Sequence, residues 1–148
     1  MAYLPLSTAN LPNPAIDPAQ GSSPEDYFAG TLYTGNSSAG VDNVVDVGFA
    51  PDLVWVKSRT QAYPHYLYDK VRGNDLALKS NATDAEATVA SFDLTDIGFT
   101  LYTTGGSGIN EGGQGTNNMM SWSWKANGSG VSNTDGSITS TVSANTES

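Results

Sequence analysis

Apolar and polar residues alternate along most of the chain in short runs. In "FAGTLYTG", "NVVDVGF", "DLVWVKS", "HYLYDKV", "TVASFD", "GFTLYTT", "MMSWSWKA" and "SITSTVS", β-branched and aromatic residues dominate, and Gly, Asn, Asp or Pro punctuates most of the gaps. A period of two predicts strands with one face buried, and a spacing of roughly 8 to 15 residues predicts antiparallel strands closed into a sandwich or barrel. The strongest helical signal, "NATDAEATVA", offers a cap at Asn81 or Thr83 and Glu86 in the first turn. That predicts one short helix at most. The expected class is all-β.

Residues 1–28 have a different texture. They hold five of the seven prolines (Pro5, Pro12, Pro14, Pro18 and Pro24) and no basic residue. Spaced prolines block both helix and central strand, which leaves an extended path. Tyr3, Leu4, Leu6, Leu11 and Ile16 recur through it, more apolar than a solvated linker requires. The segment is expected to be an arm lying along its own domain or a neighbouring subunit, the alternative being a loose terminus. The sandwich is expected over residues 29–126. Residues 127–148 contain Val131, Ile138 and Val142 but no aromatic, and read as a polar linker or strand leading out of the module. "GGSGINEGGQGTNN" reads as a contact loop. "GTLYTGNSSAG" and "FTLYTTGGSGI" echo each other, as two similar sandwich edges would.

The three tryptophans sit in mid-run. Met120, Trp122 and Trp124 share one phase of "MMSWSWKA", with Met119, Ser121, Ser123 and Lys125 in the other. In "PDLVWVKS", Trp55 falls with Leu53 and Lys57. Because indole alternates with serine, the expectation is indoles inward as core and serines outward. The competing reading is a carbohydrate platform.

Charge narrows the partners. The formal net charge of −9 disfavours nonspecific affinity for nucleic acid. It is unevenly spread: Lys57, Arg59, Lys70, Arg72 and Lys79 face only Asp69 and Asp75 between residues 57 and 79, a local +3. Such a stripe beside an acidic remainder suits docking or self-association, or else is a solvated strand-and-loop face. Cations interleave there with Tyr63, Tyr66 and Tyr68, which makes Arg59, Tyr63, His65 and Arg72 candidate protein-contact residues. No apolar run approaches the roughly 20 residues of a membrane helix. The N-terminus lacks the regions of a signal peptide, so neither membrane nor secretion is expected. Cysteine is absent, which excludes disulfides and thiolate metal sites.

Candidate chemistry is sparse. His65 is the sole histidine, and no nucleophile-elbow motif accompanies it. Asp93 and Asp96 fall where "SFDLTDIGF" must turn, the usual place for aspartate. The glycine loop lacks a phosphate-binding pattern. Around Asp135, calcium-loop spacing would put Val131 and Val142 at ligand positions. No enzyme, cofactor or metal is expected, and no catalytic residue is assigned.

The ordered set "LYTGN", "GFAPDLVWVKSR", "H-x-L-x-D-x-VRG" (His65, Leu67, Asp69, Val71, Arg72, Gly73), "SFDLTDIGFTL" and "WSWKANG" resembles a module of tailed-bacteriophage virion proteins, especially of marine and cyanobacterial phages. The lead-in "LPNPAIDPAQGSSPEDYF" is similar to the N-terminal start of those proteins. The resemblance spans roughly residues 11–143. It implies a jelly-roll or lectin-like antiparallel β-sandwich. It also implies a non-enzymatic virion structural protein: the virion-proximal part of a tail fibre or surface appendage. Other virion proteins (tail, portal-proximal or capsid) would be its partners, in a homo-oligomer such as a trimer. The alternatives are a capsid decoration protein and a receptor module for a host surface glycan.

Overall fold

The computed structural model describes residues 23–36, 41–89, 92–102, 108–110, 117–126 and 130–143. Tyr3, Leu4, Leu6, Leu11 and Ile16 of the expected arm, and most of the Gly/Asn loop, lie outside these residues. The described chain is an all-β antiparallel sandwich. Its strands are β1 (Phe28–Thr34), β2 (Asn43–Asp46), β3 (Leu53–Ser58), β4 (Tyr66–Asp69), β5 (Leu76–Lys79), β6 (Ala87–Thr88), β7 (Phe92–Leu94), β8 (Gly98–Leu101), β9 (Asn118–Trp124), β10 (Val131–Asn133) and β11 (Ser140–Val142). The larger sheet runs β1-β9-β3-β4-β5-β6, the smaller one β2-β8-β7, and β10 pairs with β11 in a hairpin of their own.

Each run expected to be extended contains strand. Two further strands were not expected: β5, whose "LALK" is built of helix formers, and β10, a three-residue piece with one apolar side chain. In both, pairing with a neighbour outweighs weak local preference. The expected helix at "NATDAEATVA" does not form. Its two carboxylates are engaged elsewhere, Asp84 with Lys79 at 2.6 Å and Glu86 with Arg72 at 3.6 Å, and Ala87–Thr88 pair with β5 instead. The helical turn that does form is a 3-10 turn at Pro24–Asp26, where proline occupies the first position and the Asp26 carboxylate accepts the Ser23 N–H at 2.6 Å.

The core lies between the two sheets. Phe92, Phe99, Leu101 and Val45 come from the small sheet, and Val54, Val56, Tyr66, Tyr68, Ala77 and Met119 from the large one. Tyr68 stacks on Phe92 at 3.9 Å between ring centroids, Phe92 on Phe99 at 5.1 Å, and Tyr33 meets Phe99 edge-on at 5.7 Å. Most of the interior bulk therefore comes from aromatic rings at the flanks. Between them, β9 presents Met119, Ser121 and Ser123 inward, each fully buried.

This reverses the expected orientation of β9. The serine row faces the core and the Met120/Trp122/Trp124 row faces out, and β3 agrees, with Val54, Val56 and Ser58 buried while Leu53, Trp55 and Lys57 are half-buried on the far side. Alternation defines two rows but not which is inner. Size decided wrongly here because Phe92 and Phe99 already fill the space that indoles would have taken. The echo between "GTLYTG" and "FTLYTT" also does not mark equivalent edges: β1 is an edge strand, whereas β8 is central in its sheet.

Burial raises the phenol pKa of Tyr33 and of Tyr68 well above the ordinary value. Both are raised relative to the unfolded chain, so their contribution to stability is fully present below about pH 10 and is lost as pH climbs further. Titration followed at 295 nm should show Tyr33 and Tyr68 ionising only as the sheet signal collapses. The idea fails if both ionise with the fold intact. The hydroxyl of Tyr68 is buried without a partner, whereas that of Tyr33 donates to the Ile109 carbonyl at 2.9 Å. Tyr68→Phe should therefore be neutral or stabilising, and Tyr33→Phe should cost about 1 kcal/mol.

Candidate functional site

The outward face of the large sheet is the most distinctive surface of the molecule. Its rows are fixed by register: Phe28, Gly30 and Leu32 of β1 lie opposite Trp124, Trp122 and Met120 of β9, which lie in turn opposite Leu53, Trp55 and Lys57 of β3. Beyond them, Trp55 pairs with Leu67 of β4, and Leu67 with Leu78 of β5. Seven large apolar side chains thus lie across three adjoining strands, and two more continue the patch. Phe28 and Leu32 are 43% and 62% exposed. All three tryptophans of the chain stand on this face and are half-buried, Trp55 against Trp122 and Trp124 against Phe28.

The aromatic geometry is orderly. Trp55 and Trp122 approach to 5.1 Å between centroids, tilted by 38°, and Phe28 and Trp124 to 5.3 Å, tilted by 50°. Glycine at position 30 matters here. A Cβ there would meet the terminal methyl of Met120 at 3.1 Å, so the bare backbone leaves room for the end of that side chain. Lys57 and Asp69 mark opposite ends of the face, and both are engaged locally. The ammonium of Lys57 donates to the Ser58 carbonyl at 3.0 Å, and Asp69 accepts from the Arg72 guanidinium at 2.6 Å. The middle carries no charge.

At the Phe28 end the face drops into a groove of about 550 Å³ lined by Asp52, Leu53, Asp69, Val71, Arg72, Trp124, Ala126, Thr141 and Ser143. The β10–β11 hairpin forms its far wall. Its polar groups are largely occupied: Asp52, buried, accepts the Ala126 N–H at 2.7 Å, and Arg72 also donates to the Leu67 carbonyl at 3.0 Å. The groove is an apolar cleft whose rim carboxylates and guanidinium are mostly engaged within the chain, the buried Arg72 Nη1 alone among these lacking a hydrogen bond.

The residues expected to make contacts are distributed differently. Arg59, Tyr63 and His65 fall in the β3–β4 connection at one end of the sheet, and Arg72 stands at the groove at the other. Arg59 is exposed. Tyr63 packs its ring where Gly108 leaves room, and the His65 backbone is tied to Asn81 and Ser80 at 2.9 Å each. The basic stripe is largely neutralised in place, since Arg72, Lys79 and Lys70 lie near Asp69, Asp84 and Asp52. Asp96 sits in the β7–β8 turn, while Asp93 is on β7 and accepts a hydrogen bond from the Tyr102 hydroxyl at 2.8 Å, which raises that phenol's pKa. Among the described residues no group of three or more His, Cys, Asp or Glu is placed to hold a metal ion, and no helix is long and apolar enough to cross a membrane.

Sequence reasoning missed the outward aromatic face, although one signal pointed to it. Lys57 shares its phase with Trp55, whereas Val54, Val56 and Ser58 include no charge. On β9 the misleading residue is Lys125, which by spacing shares the serine phase but lies past the strand end, over the ring of Tyr27 at 5.6 Å.

Residues 23–148 match a family described as a domain of unknown function, DUF7483. No curated protein and no solved structure shows significant similarity to the chain.

Proposed function

We propose that this chain, which belongs to the DUF7483 family, is a non-enzymatic structural module of a bacteriophage virion, the virion-proximal part of a tail fibre or surface appendage that acts by protein–protein docking. One observation carries the docking half of this reading: the uncharged, apolar outward face built from Phe28, Leu32, Leu53, Trp55, Met120, Trp122 and Trp124. Contiguous exposed apolar surface of this kind marks interaction sites, and aromatic residues with methionine are the types enriched where proteins meet. The virion setting rests on the ordered set of sequence motifs that resembles phage appendage modules.

A glycan-receptor reading is favoured by one feature, the half-exposed pair Trp55 and Trp122, on which a sugar ring could stack. It is weakened by what surrounds them. Sugar recognition needs hydrogen-bonding groups beside the platform, and the neighbours here are Met120, Leu53, Leu67 and Gly30.

Leu32→Glu combined with Met120→Glu places two charges on the face at exposed or half-exposed positions, where folding stability changes by only a few tenths of a kcal/mol each. Incorporation into purified particles, measured by mass spectrometry, should fall by roughly tenfold or more, since like a buried unpaired charge each carboxylate would cost several kcal/mol in a desolvated interface. Normal incorporation of a variant that melts normally would sink the docking reading. Copy number in the same particles separates an appendage, present at few sites, from a decoration protein spread over the head lattice.

A further inference from the structure

We infer that the occupant of the outward face in the free chain is the chain's own N-terminal segment, residues 1–22, laid across Trp124, Trp122 and Trp55. This rests on reading the face as a protein-contact surface and names what it contacts. Four observations converge on it.

The first is where the segment joins the described fold. It meets Ser23, and the next residues lead through the 3-10 turn to Tyr27 and Phe28. Phe28 is already packed on Trp124, and Tyr27 lies under Lys125. The chain therefore arrives at the corner where the apolar groove opens beside Leu53 and Trp124. The second is length. The large sheet has six strands, so at about 4.8 Å per strand it is roughly 24 Å across, while 22 residues of polyproline-like chain reach about 68 Å. Only part of the segment is needed to cross the tryptophans and reach Leu67 and Leu78.

The third is chemical match. Residues 1–22 carry Tyr3, Leu4, Leu6, Leu11 and Ile16, with Asp17 as their one charged side chain. The centre of the face is likewise uncharged, so neither side strands a charge on contact. Pro5, Pro12, Pro14 and Pro18 hold such a segment extended, and proline-rich extended chain is the form that seats on grooves lined by aromatic rings, because little conformational freedom remains to be lost. The fourth is tethering. A short linkage to the face gives an effective concentration near the millimolar range, which favours the chain's own segment over that of a second copy at ordinary protein concentrations.

The three tryptophans all lie on this face, so their fluorescence reports its coverage and nothing else in the chain. The test compares the full wild-type chain with a full chain carrying Leu4→Ser, Leu6→Ser, Leu11→Ser and Ile16→Ser, using acrylamide as quencher. None of those positions lies among the described residues, and circular dichroism checks that the sheets are retained. The wild type should be quenched weakly, and the quadruple variant should show a quenching constant roughly twofold or more larger, as a covered apolar face becomes an open one. A second measurement uses the absence of native cysteine. A nitroxide on Leu11→Cys should quench the tryptophans strongly, and one on Val44→Cys, exposed on the opposite sheet, should not.

Equal and strong quenching of both chains would overturn the inference, because the face is then open. Equal protection of both would overturn it too, while leaving the docking reading intact, since something other than residues 1–22 then covers the face. Protection that vanishes on roughly hundredfold dilution would assign the covering segment to a second copy and overturn the same-chain form. The docking reading stands or falls separately, on particle incorporation.

Discussion

Gly98→Ala is expected to abolish cooperative folding. Gly98 opens β8 opposite Asp46 of β2, and a Cβ at that position would fall on the carbonyl oxygen of Val45, with the Val47 backbone nitrogen 3.1 Å away. Those are main-chain atoms within the β2–β8 ladder, so no rotamer change relieves the clash; the strands must part. Separating them would also draw Phe99 and Val45 away from the centre of the core, where both are buried. A loss above about 4 kcal/mol follows, in the range reserved for backbone disruption combined with core opening. Gly48→Ala is the control. That glycine has a φ of 90° but open space around it, so its replacement should cost only about 1 kcal/mol of backbone strain. Urea unfolding of the two variants checks the contrast. A Gly98→Ala chain as stable as Gly48→Ala would mean that β2 and β8 are not paired as described.

Phe92→Ala should be the most damaging of the simple truncations. The ring is fully buried and is the middle of the Tyr68–Phe92–Phe99 stack, so its removal strips two aromatic contacts and leaves a cavity between the sheets. Phenylalanine-to-alanine changes in cores cost about 3 to 5 kcal/mol, a large share of a typical total stability of about 5 to 15 kcal/mol. For a chain of this size that corresponds to a melting temperature lower by roughly 6 to 20 °C. Backbone anchoring is not at fault in this variant, because the Phe92 N–H still donates to the Asp75 carboxylate at 3.0 Å and its carbonyl still accepts the Asp75 N–H at 3.2 Å. Calorimetry would contradict the proposed centre of the core if the transition moved by only a degree or two.

Much of this architecture could be read from residue pattern alone. Runs such as "DLVWVKS" and "GFTLYTT" alternate strongly enough that pairing only had to choose partners. What pattern could not supply was the inside of the sandwich. Trp122 and Ser123 differ greatly in apolar surface, and a single strand considered by itself argues that the tryptophan goes in. The opposing sheet decided otherwise, because Phe92 and Phe99 are contributed from residues distant in sequence. Charges misled for a related reason. Arg72 and Lys79 form a basic stripe in one dimension, yet Glu86 and Asp84 return to them in three. The missed strand β5 shows the same lesson at small scale, since Tyr68 opposite Ala77 outweighs the helical leaning of "LALK".

The two rows of β9 answer to different masters. Ser121 and Ser123 are held to small size by a core that belongs to this chain, whereas Met120, Trp122 and Trp124 face away from that core. Chemistry on one row can therefore be rewritten without disturbing the other. On the docking role proposed above, a fold organised in this way could exchange one binding companion for another by a handful of changes on a single sheet surface, keeping the same scaffold throughout.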